Sequence, residues 1–268
     1  MRPPSRLVLL GSPVAHSLSP RFQNAALESA GLPLRYEAID VAPAELDACL
    51  GELARQGAAG NVTIPHKRAV FERCARLSPV AQRAGAVNTF WVENGALTGD
   101  NTDAPAFAAA AAELLGRVPP GIVVALLGAG GGAAAVTAAA SAWPGAAIRV
   151  LARDPVKAAG LARRFAPNVH VADSLDAALE DAALVVNATP LGMRAGDPFP
   201  APIERLPREA AVFDLVYRRG GTDWVLAART SGRRATDGLG MLIEQGALAF
   251  QRWFGRAPDR EAMWRAVR

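Results

Sequence analysis

With 268 residues, 51% of them hydrophobic and 20% charged, the chain is long enough to bury a sizeable core in one large or two ordinary domains, which excludes disorder, a collagen repeat and a small disulfide scaffold. Its net charge of +4 is carried by dispersed arginines, with no basic run interleaved with aromatics, so nucleic acid is not an expected partner.

In chain order, short apolar runs alternate with helix-length periodic ones. Arg6–Gly11 reads as a buried strand, and Ser19-Pro20 opens a helix, with Ser19 as N-cap, that Gly31 can close. Leu34–Val41 is strand-like and leads to a helix from Pro43 to Gln56 stopped by Gly57. Asn61–Ile64 is strand-like, with a helix starting near His66. This alternation predicts a mainly parallel sheet. Val87–Val92 and Ala96–Leu97 flank Asn94-Gly95, a type I′ hairpin signal that adds an antiparallel pair. After Asp103 an Ala-rich helix runs to Gly116. Strands then follow at Ile122–Leu127, Ile148–Leu151, Ala183–Asn187 and Ala211–Leu215, a second α/β unit with a doubly wound sheet. The expected boundary is near Thr102–Ala104, giving domains 1–103 and 104–236, with final helices 237–268 that the pattern alone assigns to neither.

The uncharged stretch from Val118 to Ile148 is broken by glycines and prolines, and the apolar run Leu7–Leu10 behind Arg2 and Arg6 is too short for a leader peptide. No membrane partner is expected. Cys49 and Cys74, in helix-like stretches, and the histidines at 16, 66 and 170 have no metal-ligand spacing, so no metal is expected and a cytoplasmic setting is the simplest reading. His16 and His66 read as packing or hydrogen-bonding residues.

Three features carry chemistry. The strand ending at Leu127 runs into Gly128-Ala129-Gly130-Gly131-Gly132-Ala133 and an Ala-rich helix, the context in which backbone N–H groups and a helix dipole hold a pyrophosphate. At the end of the next strand stand Ala152, Arg153 and Asp154. Arg153, with Lys157 one turn on, favours a 2′-phosphate and hence NADP, whereas Asp154 either binds ribose hydroxyls or caps the following helix.

The second feature is Lys67, one of only two lysines, with Lys157, among 29 basic residues. A lysine amine can release a proton where an arginine cannot. In the first turn of a helix after the Asn61–Pro65 strand end, its ammonium faces the positive end of the dipole, which disfavours the charged form and suits general acid/base work. The third is Thr98–Asp103, at the expected crossing between domains. Asp103 there can bind a substrate hydroxyl and hold Lys67, or cap the next helix.

Taken together, the motifs resemble those of the shikimate dehydrogenase family over nearly the whole chain. They comprise the run from Gly11 to Pro20, Asn61-Val62-Thr63-Ile64-Pro65-His66-Lys67, Gly85-Ala86-Val87-Asn88-Thr89, Asn101-Thr102-Asp103 and the glycine turn. They continue with Asn187–Met193, Asp214-Leu215-Val216-Tyr217, and Asp237–Leu242 followed by Gln245. The resemblance implies a substrate domain joined to a Rossmann-like domain, with the last helices packing back on the first domain. It also implies NADPH-dependent reduction of 3-dehydroshikimate to shikimate by a monomer or homodimer.

By the same resemblance, Ser17 and Ser19 bind the substrate carboxylate, and Thr63, Asn88, Tyr217 and Gln245 complete the pocket. Lys67 and Asp103 form the catalytic pair within a closing cleft. Thr189, Leu215 and Gly238 join Gly128–Ala133, Ala152, Arg153 and Lys157 as cofactor contacts. The chain departs from the family pattern at Ala104 for Gly, Arg219 for Pro, Ala134 for a basic residue and Ala152-Arg153-Asp154 for Asn-Arg-Thr. A NAD-linked quinate/shikimate dehydrogenase and a non-catalytic nucleotide sensor are the rival readings.

Overall fold

A computed structural model of the chain describes residues 3–268, so Arg2, on which the leader-peptide reading drew, lies outside the described residues. The chain divides into two compact units. One runs to Ala106 and resumes over Leu242–Arg268; the other is Phe107–Met241.

The first unit contains β1 (Leu7–Gly11), α1 (Ser19–Ser29), β2 (Tyr36–Asp40), α2 (Leu46–Gln56), β3 (Ala59–Val62) and α3 (Lys67–Arg73). It continues with β4 (Arg76–Leu77), α4 (Pro79–Ala84), β5 (Thr89–Glu93), β6 (Ala96–Asp100) and the first turn of α5 (Asp103–Leu115). Its six strands lie in the order β2-β1-β3-β5-β6-β4. β1 is parallel to β2 and β3, β4 is parallel to β6, and β5 is antiparallel to both β3 and β6. Because β5 runs backwards, it begins at the edge where β3 and β6 end, with Thr89 opposite both Asn61 and Asp100. Under one face lie Val8, Leu10, Val62 and Phe90 of the sheet, packed with Leu46, Leu50 and Leu53 of α2, whose spacing makes an apolar stripe.

The second unit contains β7 (Val123–Leu127), α6 (Gly131–Ala140), β8 (Ala147–Leu151), α7 (Pro155–Arg164) and β9 (Val169–Val171). After these come α8 (Leu175–Leu179), β10 (Leu184–Asn187), β11 (Ala211–Asp214), α9 (Asp223–Thr230) and β12 (Ala235–Thr236). All its strand pairs are parallel, in the order β12-β11-β10-β7-β8-β9. That is a doubly wound sheet whose order reverses between β7 and β10, the position where such sheets bind ligands. The chain re-enters the first unit within α10 (Leu239–Phe254) and ends in α11 (Arg260–Arg265). There Ser29 Oγ donates to Asp259 at 3.0 Å and Arg256 donates to the carbonyl of Ala30 at 2.8 Å, which ties the tail to α1.

Several local expectations are corrected. Leu18, not Ser19, is the N-cap of α1; the Ser17 hydroxyl accepts the Ser19 N–H at 3.2 Å, so the capping group sits two residues earlier. The stretch Pro43–Glu45 is a 3-10 turn, and the α-helix proper begins at Leu46. β3 starts at Ala59 and stops at Val62, because the Thr63 carbonyl turns to accept the His66 N–H at 2.9 Å. β5 starts at Thr89 rather than Val87, since the Val87 N–H is taken by the Lys67 carbonyl at 2.9 Å. The hairpin between β5 and β6 has both Asn94 and Gly95 at positive φ, the type I′ requirement. Cys74 is the extended residue ending α3, not part of a helix.

Candidate active site

One edge of the first sheet collects the polar side chains. Thr63 follows β3, Asn88 precedes β5 and Asn101-Thr102-Asp103 follow β6, so the antiparallel placement of β5 brings all three segments to the same edge. Lys67 Nζ donates to Asp103 Oδ2 at 2.6 Å, with the side chains 17% and 8% exposed. Asp103 is free for this contact because Asn101 Oδ1 accepts the Ala104 N–H at 3.1 Å, the capping task first considered for Asp103. The departure to Ala104 leaves that bond in place.

Asn88 knits the edge together. Its Nδ2 donates to Thr102 Oγ1 at 2.9 Å and to Gln245 Oε1 at 3.3 Å, and its Oδ1 accepts the Thr102 N–H at 2.7 Å. Asn61 Nδ2 donates to the Asn88 carbonyl at 3.1 Å, and Asn61 Oδ1 accepts the buried Tyr36 hydroxyl at 2.9 Å. His66 is buried with Nε2 2.7 Å from the Val41 carbonyl, the structural role expected of it. His16, in contrast, is exposed and has no hydrogen-bond partner among the described residues, so its expected packing role is corrected. Ser17 uses its oxygen as an acceptor and keeps its hydroxyl proton to donate; Ser19 is buried with no side-chain partner among the described residues.

In the second unit the glycine turn links β7 to α6. Gly128 has φ +110°, and a Cβ on it would lie 2.8 Å from the Ala188 carbonyl oxygen, so the turn after β7 and the one after β10 approach as only glycine permits. Gly130 is the N-cap of α6 and carries no side chain to satisfy the first-turn N–H groups; a Cβ there would meet nothing within 4 Å. Those donors and that open space fit a pyrophosphate. At the end of β8, Asp154 Oδ1 accepts the Val156 and Lys157 N–H groups, both at 3.1 Å, and Lys157 Nζ lies 3.2 Å from Asp154 Oδ2. Arg153 is exposed and has no partner among the described residues.

The loop after β10 is held by a buried polar cluster. Thr189 donates through N–H and Oγ1 to Asn187 Oδ1 at 2.9 and 2.6 Å, and Asn187 Nδ2 donates to Asp214 Oδ1 at 2.8 Å. Asp214 also accepts from the Thr222 hydroxyl at 2.7 Å and the Val216 N–H at 3.0 Å. Burial pushes its carboxyl up to about 6, against the pull of the Thr222, Asn187 and Val216 donors and with a further push from Asp237. Gly238 belongs to the same region, its N–H donating to the Val216 carbonyl at 3.1 Å.

Two family models match the chain, the shikimate dehydrogenase substrate binding domain over residues 9–90 and the shikimate 5′-dehydrogenase C-terminal domain over residues 238–268. A shikimate dehydrogenase (NADP(+)) of Thermus thermophilus is 43% identical, covering 98% of this chain and 97% of its own length. The chain belongs to the shikimate dehydrogenase family. A crystal structure of shikimate dehydrogenase from Aquifex aeolicus superposes with a TM-score of 0.92 at 32% identity, covering 99% of this chain and 98% of that one. Shikimate 5-dehydrogenase from Thermus thermophilus in complex with NADP(H) and shikimate gives 0.85 at 40% identity, covering 97% of each chain.

Within this member of the shikimate dehydrogenase family, Lys67, Asp103, Asn88, Thr63, Gln245, Ser17 and Ser19 all lie in the first unit. Tyr217, the glycine turn, Ala152, Arg153, Lys157, Thr189, Leu215 and Gly238 lie in the second. The residue reading placed Asp100 in the Thr98–Asp103 run without giving it a role, took Asp214 only as part of a family motif, and did not single out Arg252 or Thr222. A carboxylate closing an apolar strand was the available signal for Asp100 and Asp214; Arg252 carried none among so many arginines. Among the described residues no group of His, Cys, Asp and Glu is arranged to hold a metal, and no helix is long and apolar enough to cross a membrane.

Proposed function

We propose that the chain catalyses the reversible NADPH-dependent reduction of 3-dehydroshikimate to shikimate in aromatic amino-acid biosynthesis, acting in the cytoplasm as a monomer or homodimer. The observation that carries this reading is the nearly buried Lys67–Asp103 pair, set on the sheet edge that also presents Asn88 and Gln245. The first unit is then the substrate unit and the second the cofactor unit.

Ser17 and Ser19 supply hydroxyl donors for the substrate carboxylate. Thr63, Asn88 and Gln245 meet the ring hydroxyls, and a site that must leave such groups unpaired rejects analogues lacking them. The 3.3 Å bond from Asn88 to Gln245 is longer than the 2.9 Å bond from Asn88 to Thr102, and it is the one a substrate hydroxyl replaces. Bound NADPH would be held by the Gly128–Ala133 turn and by Arg153 at its 2′-phosphate, and would supply the hydride that reduces the substrate carbonyl. As negative charge develops on the carbonyl oxygen, Lys67 Nζ gives it a proton, and the resulting alcohol is shikimate. The Asp103 carboxylate accepts from Lys67 and from a substrate hydroxyl, and so fixes the amine and the ring in one geometry. In the oxidation direction Lys67 takes the proton back.

Lys67→Arg preserves the charge and removes a group able to release a proton, so turnover falls about a hundredfold or more. Near-normal turnover in that variant removes Lys67 from the acid/base role. Rates with NADP or NAD and shikimate or quinate separate the rival readings: NADP with shikimate is the fastest pair, and faster NAD-linked oxidation of quinate overturns the assignment. A nucleotide sensor would show no turnover with any of the four.

A further inference from the structure

The residues that meet substrate stand on two segments far apart in the chain, the Asn101–Asp103 corner after β6 and the first turns of α10, and one ion pair joins them. Asp100, the last residue of β6, is almost fully buried, and its Oδ2 accepts Arg252 Nε of α10 at 2.8 Å. Its Oδ1 accepts the Asn101 N–H at 2.7 Å and the Ser78 hydroxyl, and Ser78 also caps α4 through the Ala81 N–H at 3.0 Å. The Asp100 carbonyl accepts the Asn88 N–H at 3.1 Å. Both carboxylate oxygens and the carbonyl of Asp100 are thus engaged immediately before the chain turns into Thr102 and Asp103.

Arg252 follows Gln245 by seven residues, two helical turns, so the two lie on the same side of α10. The opposite restraint on α10 comes from α1. A Cβ on Gly246 would lie 2.3 Å from Phe22 Cε2, and Gln23 Nε2 donates to the Gly246 carbonyl at 3.0 Å, so the helix is pressed closely against its neighbour and cannot back away. With α1 fixing its depth, the Arg252–Asp100 bond fixes its rotation and axial register relative to β6.

We propose that Arg252 and Asp100 are a positioning pair that sets Gln245 and Asp103 at the spacing the substrate ring requires. This rests on the reading of Lys67, Asp103 and Gln245 as the shikimate site. Half of the Arg252 side chain is in solvent, and Asp100 keeps the Asn101 N–H and the Ser78 hydroxyl as donors when Arg252 is replaced, so the substitution weakens this corner and loosens α10.

The test compares Arg252→Leu, Arg252→Lys and Lys67→Ala with the wild type, measuring kcat and KM for shikimate and the dissociation constant of NADPH. Arg252→Leu lowers kcat/KM for shikimate about tenfold, the scale of a sub-ångström misplacement, with the larger part in KM. NADPH binding stays within twofold, since the second unit is untouched, and Arg252→Lys recovers part of the loss. An unchanged kcat/KM in Arg252→Leu, or a loss matched by an equal loss of NADPH affinity, overturns the positioning role. If Lys67→Ala retains turnover, the reading of the site itself fails, whatever the Arg252 variants do.

Discussion

Arg153 and Asp154 are neighbours of opposite charge at the end of β8, and residue type alone supports either cofactor. The geometry separates them. Asp154 has both oxygens engaged, one by the first two N–H groups of α7 and the other by Lys157, which hold its carboxyl below the ordinary range. A carboxylate committed to capping a helix is poorly placed to accept ribose hydroxyls, whereas the guanidinium of Arg153 faces solvent with no competing partner among the described residues. A guanidinium pairing with a phosphate makes charge-assisted hydrogen bonds. Arg153→Ala therefore weakens NADPH binding by roughly tenfold or more, the effect of one lost charge-assisted bond, and leaves NADH binding within twofold. Fluorescence titration with the two reduced nucleotides checks this. Equal losses for both would mean that Arg153 does not read the 2′-phosphate.

At the scale of elements, the glycine turn and α6 divide their work between backbone geometry and open space, and two substitutions of identical size separate the two. Gly128→Ala forces a side chain onto a residue at φ +110° and against the Ala188 carbonyl, so it costs about 1–3 kcal/mol of strain and lowers the thermal midpoint. Gly130→Ala adds its methyl where no atom lies within 4 Å and at a negative φ, so stability is kept, and with the pyrophosphate seated as proposed the methyl would take its place and lower NADPH affinity. Thermal melts with and without NADPH distinguish the two, and unchanged affinity in Gly130→Ala would remove this turn from the cofactor site. The turn was legible because strand, glycines and helix follow one another within a few residues. The helices α4, α8 and α9 were not read, since each is short and is started by a lone Ser or Thr cap, Ser78, Ser174 and Thr222, that looks like any loop hydroxyl.

Over the whole molecule, the order of strands and the return of α10 and α11 to the first unit were beyond periodicity. The apolar run of β10 says that it is buried, not that it lies beside β7, and only the motif resemblance assigned the last helices to a side. The long-range polar contacts were hidden for the same reason: Asp214 closes a buried strand, but its partners Asn187 and Thr222 are 27 and 8 residues away. That cluster makes stability depend on pH in a direction opposite to that of a paired surface carboxylate. The Asp214 carboxyl is raised from 3.8 to about 6, so the native state holds a proton that the unfolded chain releases between those values. Its contribution is complete below pH 4 and is lost as pH rises through 6. Asp214→Asn preserves the Oδ1 acceptor for Asn187 and Val216, while the rotatable Thr222 hydroxyl turns to accept from the new amide. The variant does not titrate, so the stability of the wild type relative to it declines by about 2 kcal/mol between pH 4 and pH 7. Urea unfolding of both proteins across that range measures the decline. A difference that stays flat, or grows with pH, would show that Asp214 is ionised in the native state throughout.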